Sequence, residues 1–165
     1  TAASEATGKN RVIISDSVTS TSVNTKFRDV AVPVVNWEPS LLDDMQMTGT
    51  TWMTDYGDLS SQTQIVITNS THPLAAGLSG TVATTNSGQI YFWGAPGSSA
   101  VKVAALVGYP SRTSIFAYDT GAAMVGMTAP ARRVGFFNGY ATAFTADSWA
   151  LFDAAIAWSL SCPVP

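Results

Sequence analysis

Two acidic side chains stand where carboxylates could act on a ligand. Asp16 follows a β-branched run at residues 11–15, and Glu38 follows a second run at residues 33–37. Such runs are typical of buried strands. If the two strands are parallel neighbours, both carboxylates meet at one sheet edge, where they could act as general acid and base or hold a cation. The alternative is that Asp16 caps a loop or helix and Glu38 binds nearby backbone amides.

The sequence offers little for covalent catalysis. His72, the only histidine, precedes Pro73 and could act as a base, or its ring could instead fix a turn through hydrogen bonds. The only cysteine, Cys162, fits a tail thiol or an intermolecular partner better than a nucleophile. We therefore predict no nucleophilic centre, and an enzyme alternative would depend on Asp16, Glu38 and His72.

Metal and cofactor sites are not predicted. Asp43, Asp44, Asp55 and Asp58 could supply oxygen ligands to calcium, but their spacing is not that of an EF-hand, so a solvated loop is the better interpretation. The glycine-rich residues 94–97 lack phosphate-loop spacing, which argues against a nucleotide site.

Aromatic side chains could form a sugar-stacking platform, because flat rings combine apolar faces with polar rims. The candidate rings are Trp37, Trp52, Trp93, Tyr56, Tyr91, Tyr109 and Tyr140. We expect Trp52 and Trp93 to be the exposed members. The predicted ligand-binding residues are Trp37, Glu38, Trp52 and Trp93, and the alternative is that these rings pack in the core or at hinges.

Composition limits the partners of what we expect to be a single domain over residues 1–165. Net charge is −3 and the sequence pI is about 4.8, with Arg132 and Arg133 as the only basic pair, which excludes a typical nucleic-acid-binding protein. No apolar run approaches the roughly 18 residues of a membrane span. Charged residues make up only 12% of the chain, and a polar surface rich in Ser and Thr predicts a secreted or cell-surface protein.

Hydrophobic patterning predicts parallel strands in the first half of the chain and antiparallel hairpins in the second half. The predicted strands cover residues 11–15, 33–37, 64–68, 81–85, 89–93, 101–107, 114–118 and 132–137. Short helical segments are expected at residues 23–28, 39–45 and 72–78, and residues 49–61 are expected to be irregular. A closing helix over residues 145–158 has Thr145 as its N-cap, and its broad apolar face, including Trp149, should lie on the sheet.

Several of these segments carry a family resemblance. They are residues 72–78, 101–104, 121–124, 130–134 and 149–158. In this order they resemble the trehalose-utilisation-like branch of the class I glutamine amidotransferase-like superfamily, as found in secreted bacterial multidomain proteins, over residues 8–161. The resemblance implies an α/β, flavodoxin-like open sheet, with a parallel core, antiparallel extensions and helices on both faces.

Two departures from that family bear on function. The resemblance implies a strand–helix–strand unit before residues 12–14 for which this sequence has no room, so that unit either has been lost or lies in a segment not shown. Its absence would leave a strand edge open to a homodimer partner or a flanking domain. The turn after Trp37, where relatives carry a catalytic cysteine, holds Glu38 and Pro39.

Two functions remain open. The first is a non-catalytic extracellular module of a larger secreted or surface protein, used for binding, with a glycan as the candidate ligand, or as a spacer. The second is a hydrolase or isomerase that acts on a sugar derivative through Asp16, Glu38 and His72. A cleft that holds both carboxylates at the strand ends would favour the enzyme.

Overall fold

One mixed sheet organises the computed structural model, which describes residues 2–137 and 139–160. Nine strands lie within that part of the chain: β1 (Val12–Ile14), β2 (Val34–Asn36), β3 (Tyr56–Gln62), β4 (Gln64–Ile67), β5 (Gly80–Ala83), β6 (Gln89–Gly94), β7 (Val101–Leu106), β8 (Tyr109–Tyr118) and β9 (Arg133–Gly135). The α-helices are α1 (Ser20–Val23) and α2 (Ala146–Leu160). Short 3-10 turns cover Ala3–Ala6, Asn24–Phe27, Pro39–Leu41, Pro73–Ala75 and Ala141–Ala143. Cys162 lies outside the described residues.

The sheet combines a parallel part with a larger antiparallel part. Its strand order is β1-β2-β9-β8-β7-β4-β5, and β1, β2 and β9 run parallel. Strand β8 is ten residues long and forks the sheet. Its last residues pair with β9, whereas Thr113 pairs with Gly94 of β6, which in turn pairs with β3. The fork leaves a space between β6 and β9.

The expected flavodoxin-like α/β architecture is wrong. In the described chain the helices are the four-residue α1 and the 15-residue α2, so regular helices do not cover both faces of the sheet. A parallel neighbour requires a crossover of about a dozen residues or more, usually a helix. The connection between β7 and β8, residues 107–108, is too short for one. These two strands therefore pair antiparallel, and among the described strands the parallel arrangement is confined to β1, β2 and β9.

Helix α2 covers one face of the sheet. The Thr145 hydroxyl accepts a hydrogen bond from the Ser148 N–H at 3.3 Å, as expected of an N-cap. Leu151 and Ala155 are fully buried against a core that includes Val35. Trp149, which was expected on the buried face, is 43% exposed.

Turns, loops and the short helix α1 cover the opposite face. Their buried side chains are Ala6, Val23, Phe27, Leu41, Leu42, Met45 and Met47, and they pack with Phe116 and Tyr118 of β8. These side chains come from short segments that precede β3. The sequence therefore has no apolar period of 3.6 residues that would predict their burial.

A buried arginine joins β9 to the loop before β2. The Arg133 guanidinium is fully buried and donates hydrogen bonds to the carbonyl oxygens of Arg28, Val30, Val32, Ala131 and Arg132. Burial lowers the pKa of Arg133 to about 10, because the charged form is poorly solvated there. The five carbonyl groups compensate for that loss of solvent and fix the loop at residues 28–32.

Candidate binding groove

Asp16 and Glu38 occupy equivalent positions beyond neighbouring parallel strands. Ile14 of β1 pairs with Asn36 of β2, and each acidic residue follows two positions later. Asp16 lies close enough for its charge to contribute to the raised pKa of Glu38. The two residues therefore leave neighbouring parallel strands at the same edge of the sheet, and a catalytic role for the pair stays a prediction.

A groove of about 180 Å³ opens beside Asp16. Its lining residues are Asp16, Gln89, Ile90, Phe92, Gly139 and Tyr140. The Tyr140 side chain is 71% exposed and that of Ile90 is 50% exposed, so an aromatic and an aliphatic surface face solvent here. The Gln89 amide nitrogen donates to the Ser87 hydroxyl at 3.0 Å, which restrains the Gln89 side chain. The groove thus combines apolar surface with polar groups.

The Asp16 carboxylate retains an oxygen for a ligand. Its Oδ1 accepts a long hydrogen bond from the Ser15 hydroxyl at 3.3 Å, and no donor from the described residues binds Oδ2. Asp16 does not cap α1, whose N-cap position is Thr19. The side chain is only partly buried, so it can bind a ligand without a large change in its solvation.

A smaller inner pocket adjoins the groove at Phe92, which lines both. Its volume of about 10 Å³ admits roughly one water molecule. Its lining residues are Asn36, Glu38, Pro39, Leu42, Phe92, Trp93, Gly94, Thr113, Ser114, Phe116, Gly135 and Phe136. This pocket occupies the space opened by the fork between β6 and β9.

Local hydrogen bonds hold Glu38 in the inner pocket. The Glu38 side chain accepts from the Ser40 N–H at 3.0 Å, and the Asn36 side chain binds the Glu38 backbone at both N–H and C=O. Glu38 is only 8% exposed. Burial raises the pKa of its carboxyl, the Ser40 contact opposes that shift, and the charge of Asp16 adds to it. Glu38 thus binds a backbone amide, as the alternative interpretation expected, and also borders a pocket.

His72 lies away from both carboxyl groups. Its Nδ1 accepts from the Leu74 N–H at 3.2 Å, and its ring centroid is 5.5 Å from that of Trp158. Arg132 binds the Trp158 carbonyl and precedes β9, whereas Phe136 follows β9 and lines the inner pocket. His72 and Glu38 are therefore on opposite ends of β9, which spans about 10 Å.

The environment of His72 agrees with the alternative interpretation, in which its ring fixes a turn through hydrogen bonds. Burial lowers the pKa of His72, and the charge of Arg132 lowers it further while that of Asp119 opposes the shift. A neutral imidazole whose Nδ1 caps the 3-10 turn Pro73–Ala75 fixes that turn. The structure thus does not assemble Asp16, Glu38 and His72 into one catalytic group.

The four predicted ligand-binding residues do not form one surface. Trp93 is 3% exposed and Trp37 is 8% exposed, so the expected exposure of Trp93 is wrong. Trp52 is 46% exposed and lies edge-to-face on Tyr56, with centroids 5.3 Å apart. Tyr56 pairs with Gly94, at the end of β6 opposite to the groove. Trp52 is therefore exposed but does not line the groove, and Glu38 lines only the inner pocket.

Two of the four acidic residues considered for calcium accept hydrogen bonds from within the protein. Asp43 accepts from the Tyr56 hydroxyl at 3.0 Å, and Asp55 accepts from the Thr51 N–H at 2.9 Å. Across residues 2–137 and 139–160, no group of three or more His, Cys, Asp or Glu side chains is arranged to hold a metal ion.

Of the six described residues that line the groove, all but Asp16 were absent from the predicted site residues. Gln89 and Ile90 begin a predicted strand and carried no chemical motif. Tyr140 was one aromatic candidate among several. The rule that drew attention to Asp16 and Glu38 also applies to β9, because Gly139 and Tyr140 follow the carboxyl end of this third parallel strand.

No family model, curated protein or solved structure matches this chain. Among the described helices, none is long and apolar enough to cross a membrane. The resemblance to the amidotransferase-like group remains a prediction, and the function has to be argued from the geometry of the groove.

Proposed function

We propose that this domain is a non-catalytic extracellular module of a larger secreted or surface protein, and that it binds a saccharide in the groove beside Asp16. One observation supports this proposal above all: the groove combines the exposed ring of Tyr140 with the Asp16 carboxylate and the Gln89 amide. Its volume of about 180 Å³ is below the range of about 300–1,000 Å³ usual for drug-sized ligands. The space suits a small polar ring.

These side chains match the two kinds of surface on a sugar. The Tyr140 ring offers an apolar face on which the C–H face of a pyranose can stack. Asp16 accepts hydrogen bonds from hydroxyl groups, and the Gln89 amide can both donate and accept. Asp16 follows β1 and Gln89 begins β6, so one sheet holds both polar groups.

The geometry supports binding better than turnover. The described residues that line the groove include neither an imidazole nor a thiol. Glu38 borders the inner pocket, which is too small for a sugar ring. A sugar in the groove would therefore meet one carboxylate, whereas glycoside hydrolysis ordinarily uses two that flank the scissile bond.

A glycan titration tests this proposal. The 165-residue chain is titrated with a panel of oligosaccharides by calorimetry, and each oligosaccharide is assayed for turnover. We expect at least one to bind without turnover, and Tyr140→Ala to weaken that binding by about tenfold because a stacking surface is lost. Tyr109→Ala is the matched control, since Tyr109 is 43% exposed on β8 and does not line the groove. Failure of the whole panel to bind, or equal affinity in Tyr140→Ala, would contradict the proposal.

A hydrolase or isomerase is the second candidate, and one observation favours it. Glu38 is buried with a raised pKa, whereas Asp16 is partly exposed, and carboxyl groups in such different environments can divide the roles of acid and base. Turnover of a panel sugar that is lost in Glu38→Gln and retained in Glu5→Gln would establish this candidate in place of the first. Glu5 is exposed and lines neither the groove nor the inner pocket, so it controls for the change of charge.

A further inference from the structure

The groove carries negative charge, and none of the described residues that line it is a Lys or an Arg. Asp16 is the one charged side chain among the described residues that line it. Glu38, which Asp16 influences electrostatically, adds a second acidic group behind Phe92. A ligand group placed beside Asp16 therefore meets a carboxylate that no lining Lys or Arg offsets.

Most basic side chains are bound elsewhere. Arg28 pairs with Asp29, Arg132 with Asp119, Arg11 with the Ile156 carbonyl and Lys26 with the Ser22 carbonyl. Arg112 lies between the rings of Trp93 and Tyr109, at 4.8 and 4.5 Å from their centroids. None of these side chains lines the groove, so an acidic sugar would be repelled by Asp16 without compensation.

The exposed ring completes a site for a cation. An ammonium group over the face of a tyrosine is attracted by the ring's quadrupole. The same group can donate a charge-assisted hydrogen bond to the Asp16 Oδ2, which no described donor occupies. Asp16 and Tyr140 line one cavity of about 180 Å³, so a ligand bound there lies beside both residues.

We propose that the groove selects saccharides that carry a free, positively charged amino group, which pairs with Asp16 and lies against the ring of Tyr140. This inference rests on the proposed function and adds to it the chemical class of the ligand. A neutral sugar keeps the stacking and the hydrogen bonds but lacks the ion pair. The groove should therefore rank amino sugars above neutral sugars, and neutral sugars above acidic ones.

Three trisaccharides of matched length test this ranking on the full chain. They are a glucosamine trisaccharide, its N-acetylated counterpart and a galacturonate trisaccharide, each titrated by calorimetry in dilute buffer near pH 6, where the amines are largely protonated. We expect the glucosamine trisaccharide to bind about fivefold more tightly than the N-acetylated one, and the galacturonate trisaccharide to bind most weakly. Asp16→Asn should bring the first ratio to about one without abolishing binding. Asp153→Asn removes the same charge from an exposed position on α2 and should leave the ratio unchanged.

A salt titration of the unaltered chain gives a second measurement that needs no substitution. Because an exposed ion pair is screened by salt, the preference for glucosamine should shrink as sodium chloride is raised, whereas the affinity for the N-acetylated trisaccharide should change little.

The outcomes separate this inference from the proposed function. Equal affinities for the glucosamine and N-acetylated trisaccharides would overturn the inference and leave saccharide binding intact. A preference that persists in Asp16→Asn would also overturn it, because the amine would then be recognised elsewhere or the acetyl group excluded sterically. If neither these trisaccharides nor the wider panel binds, the proposed function fails and the inference fails with it.

Discussion

At the scale of single residues, burial distinguishes two carboxyl groups that the sequence presents alike. Asp16 is partly exposed and keeps one oxygen for a ligand, whereas Glu38 is 8% exposed and binds the Ser40 N–H. Their proximity could be predicted, because equivalent positions after parallel strands meet at one edge. Their division between groove and inner pocket could not, because it depends on Phe92 of β6, a strand distant in the sequence.

The exposure of aromatic residues illustrates the same limit. Alternation along β6 places Tyr91 and Trp93 on the face covered by α2, and leaves Ile90 and Phe92 on the other. Trp93 was expected to be exposed because Gly94 follows it, but the strand continues through Gly94. Once the strand is assigned, the sequence shows which residues share a face. It does not show which of the two faces is buried, because that depends on what packs on the sheet.

The raised pKa of Glu38 predicts how Glu38→Gln changes stability with pH. In the unfolded chain a glutamate loses its proton near pH 4.3, whereas the buried carboxyl of the folded protein keeps its proton to higher pH. The folded state thus binds more protons in this interval, and stability is lost as pH rises through the folded pKa. Glu38→Gln stays neutral and keeps an oxygen that can accept from Ser40. Its stability relative to wild type should therefore improve between about pH 4 and pH 7.

Urea denaturation at those two pH values measures this effect. Glu5→Gln provides the control because Glu5 is exposed, and its stability relative to wild type should stay nearly constant. A relative stability of Glu38→Gln that falls as pH rises would show that Glu38 is a stabilising carboxylate, contrary to the prediction.

At the scale of elements, the fork of β8 creates the inner pocket. Phe116 of β8 lies against Gly94 of β6 and Gly135 of β9, and a Cβ at Gly135 would lie 2.6 Å from the Phe116 ring. The two glycines therefore let one ring approach both branches of the sheet. The sequence predicted β9 and the second half of β8, at residues 114–118. It did not predict the fork, because neither local propensity nor periodicity indicates that one strand has different partners along its length.

Gly135→Ala should displace the Phe116 ring and lower the free energy of unfolding by about 1–3 kcal/mol, as overpacking of a core does. The control is Gly97→Ala, since the nearest atom to a Cβ there is 3.4 Å away, and its effect should be small. Phe116→Leu should cost less stability in the Gly135→Ala background than in wild type, because the ring is then already displaced. Denaturant unfolding of the four proteins in this double-mutant cycle measures the coupling, and strictly additive losses would contradict the proposed contact.

At the scale of the whole molecule, the fold is decided by what covers the sheet. The closing helix was predicted because residues 145–158 carry a capped apolar pattern, and α2 confirms it. The other face of the sheet is covered by short segments. The family resemblance implied helices on that face. Strand β3 was expected to be irregular, because its sequence mixes Gly, Asp and Ser and is stabilised by pairing with β6. Pairing with a distant strand thus determines the extended conformation of β3, which local propensity did not predict.

One edge of this sheet bears on association. Strand β1 is the terminal strand next to β2, and its Ile13 is 47% exposed. An open edge with an exposed apolar side chain can pair with another strand, so the homodimer and the flanking-domain contact remain predictions for this edge.

Because one sheet supplies both cores, the two faces should unfold together. Leu151 of α2 packs on one face and Leu41 packs on the other, and both are fully buried. Leu151→Ala and Leu41→Ala should each cost about 2–5 kcal/mol and shift one common transition, whether it is followed by tryptophan fluorescence or by far-ultraviolet circular dichroism. Lys102→Ala, at an exposed position of β7, should leave that transition nearly unchanged. If either core variant instead separates the two signals into distinct transitions, the faces are independent units, and the strands they share do not couple them.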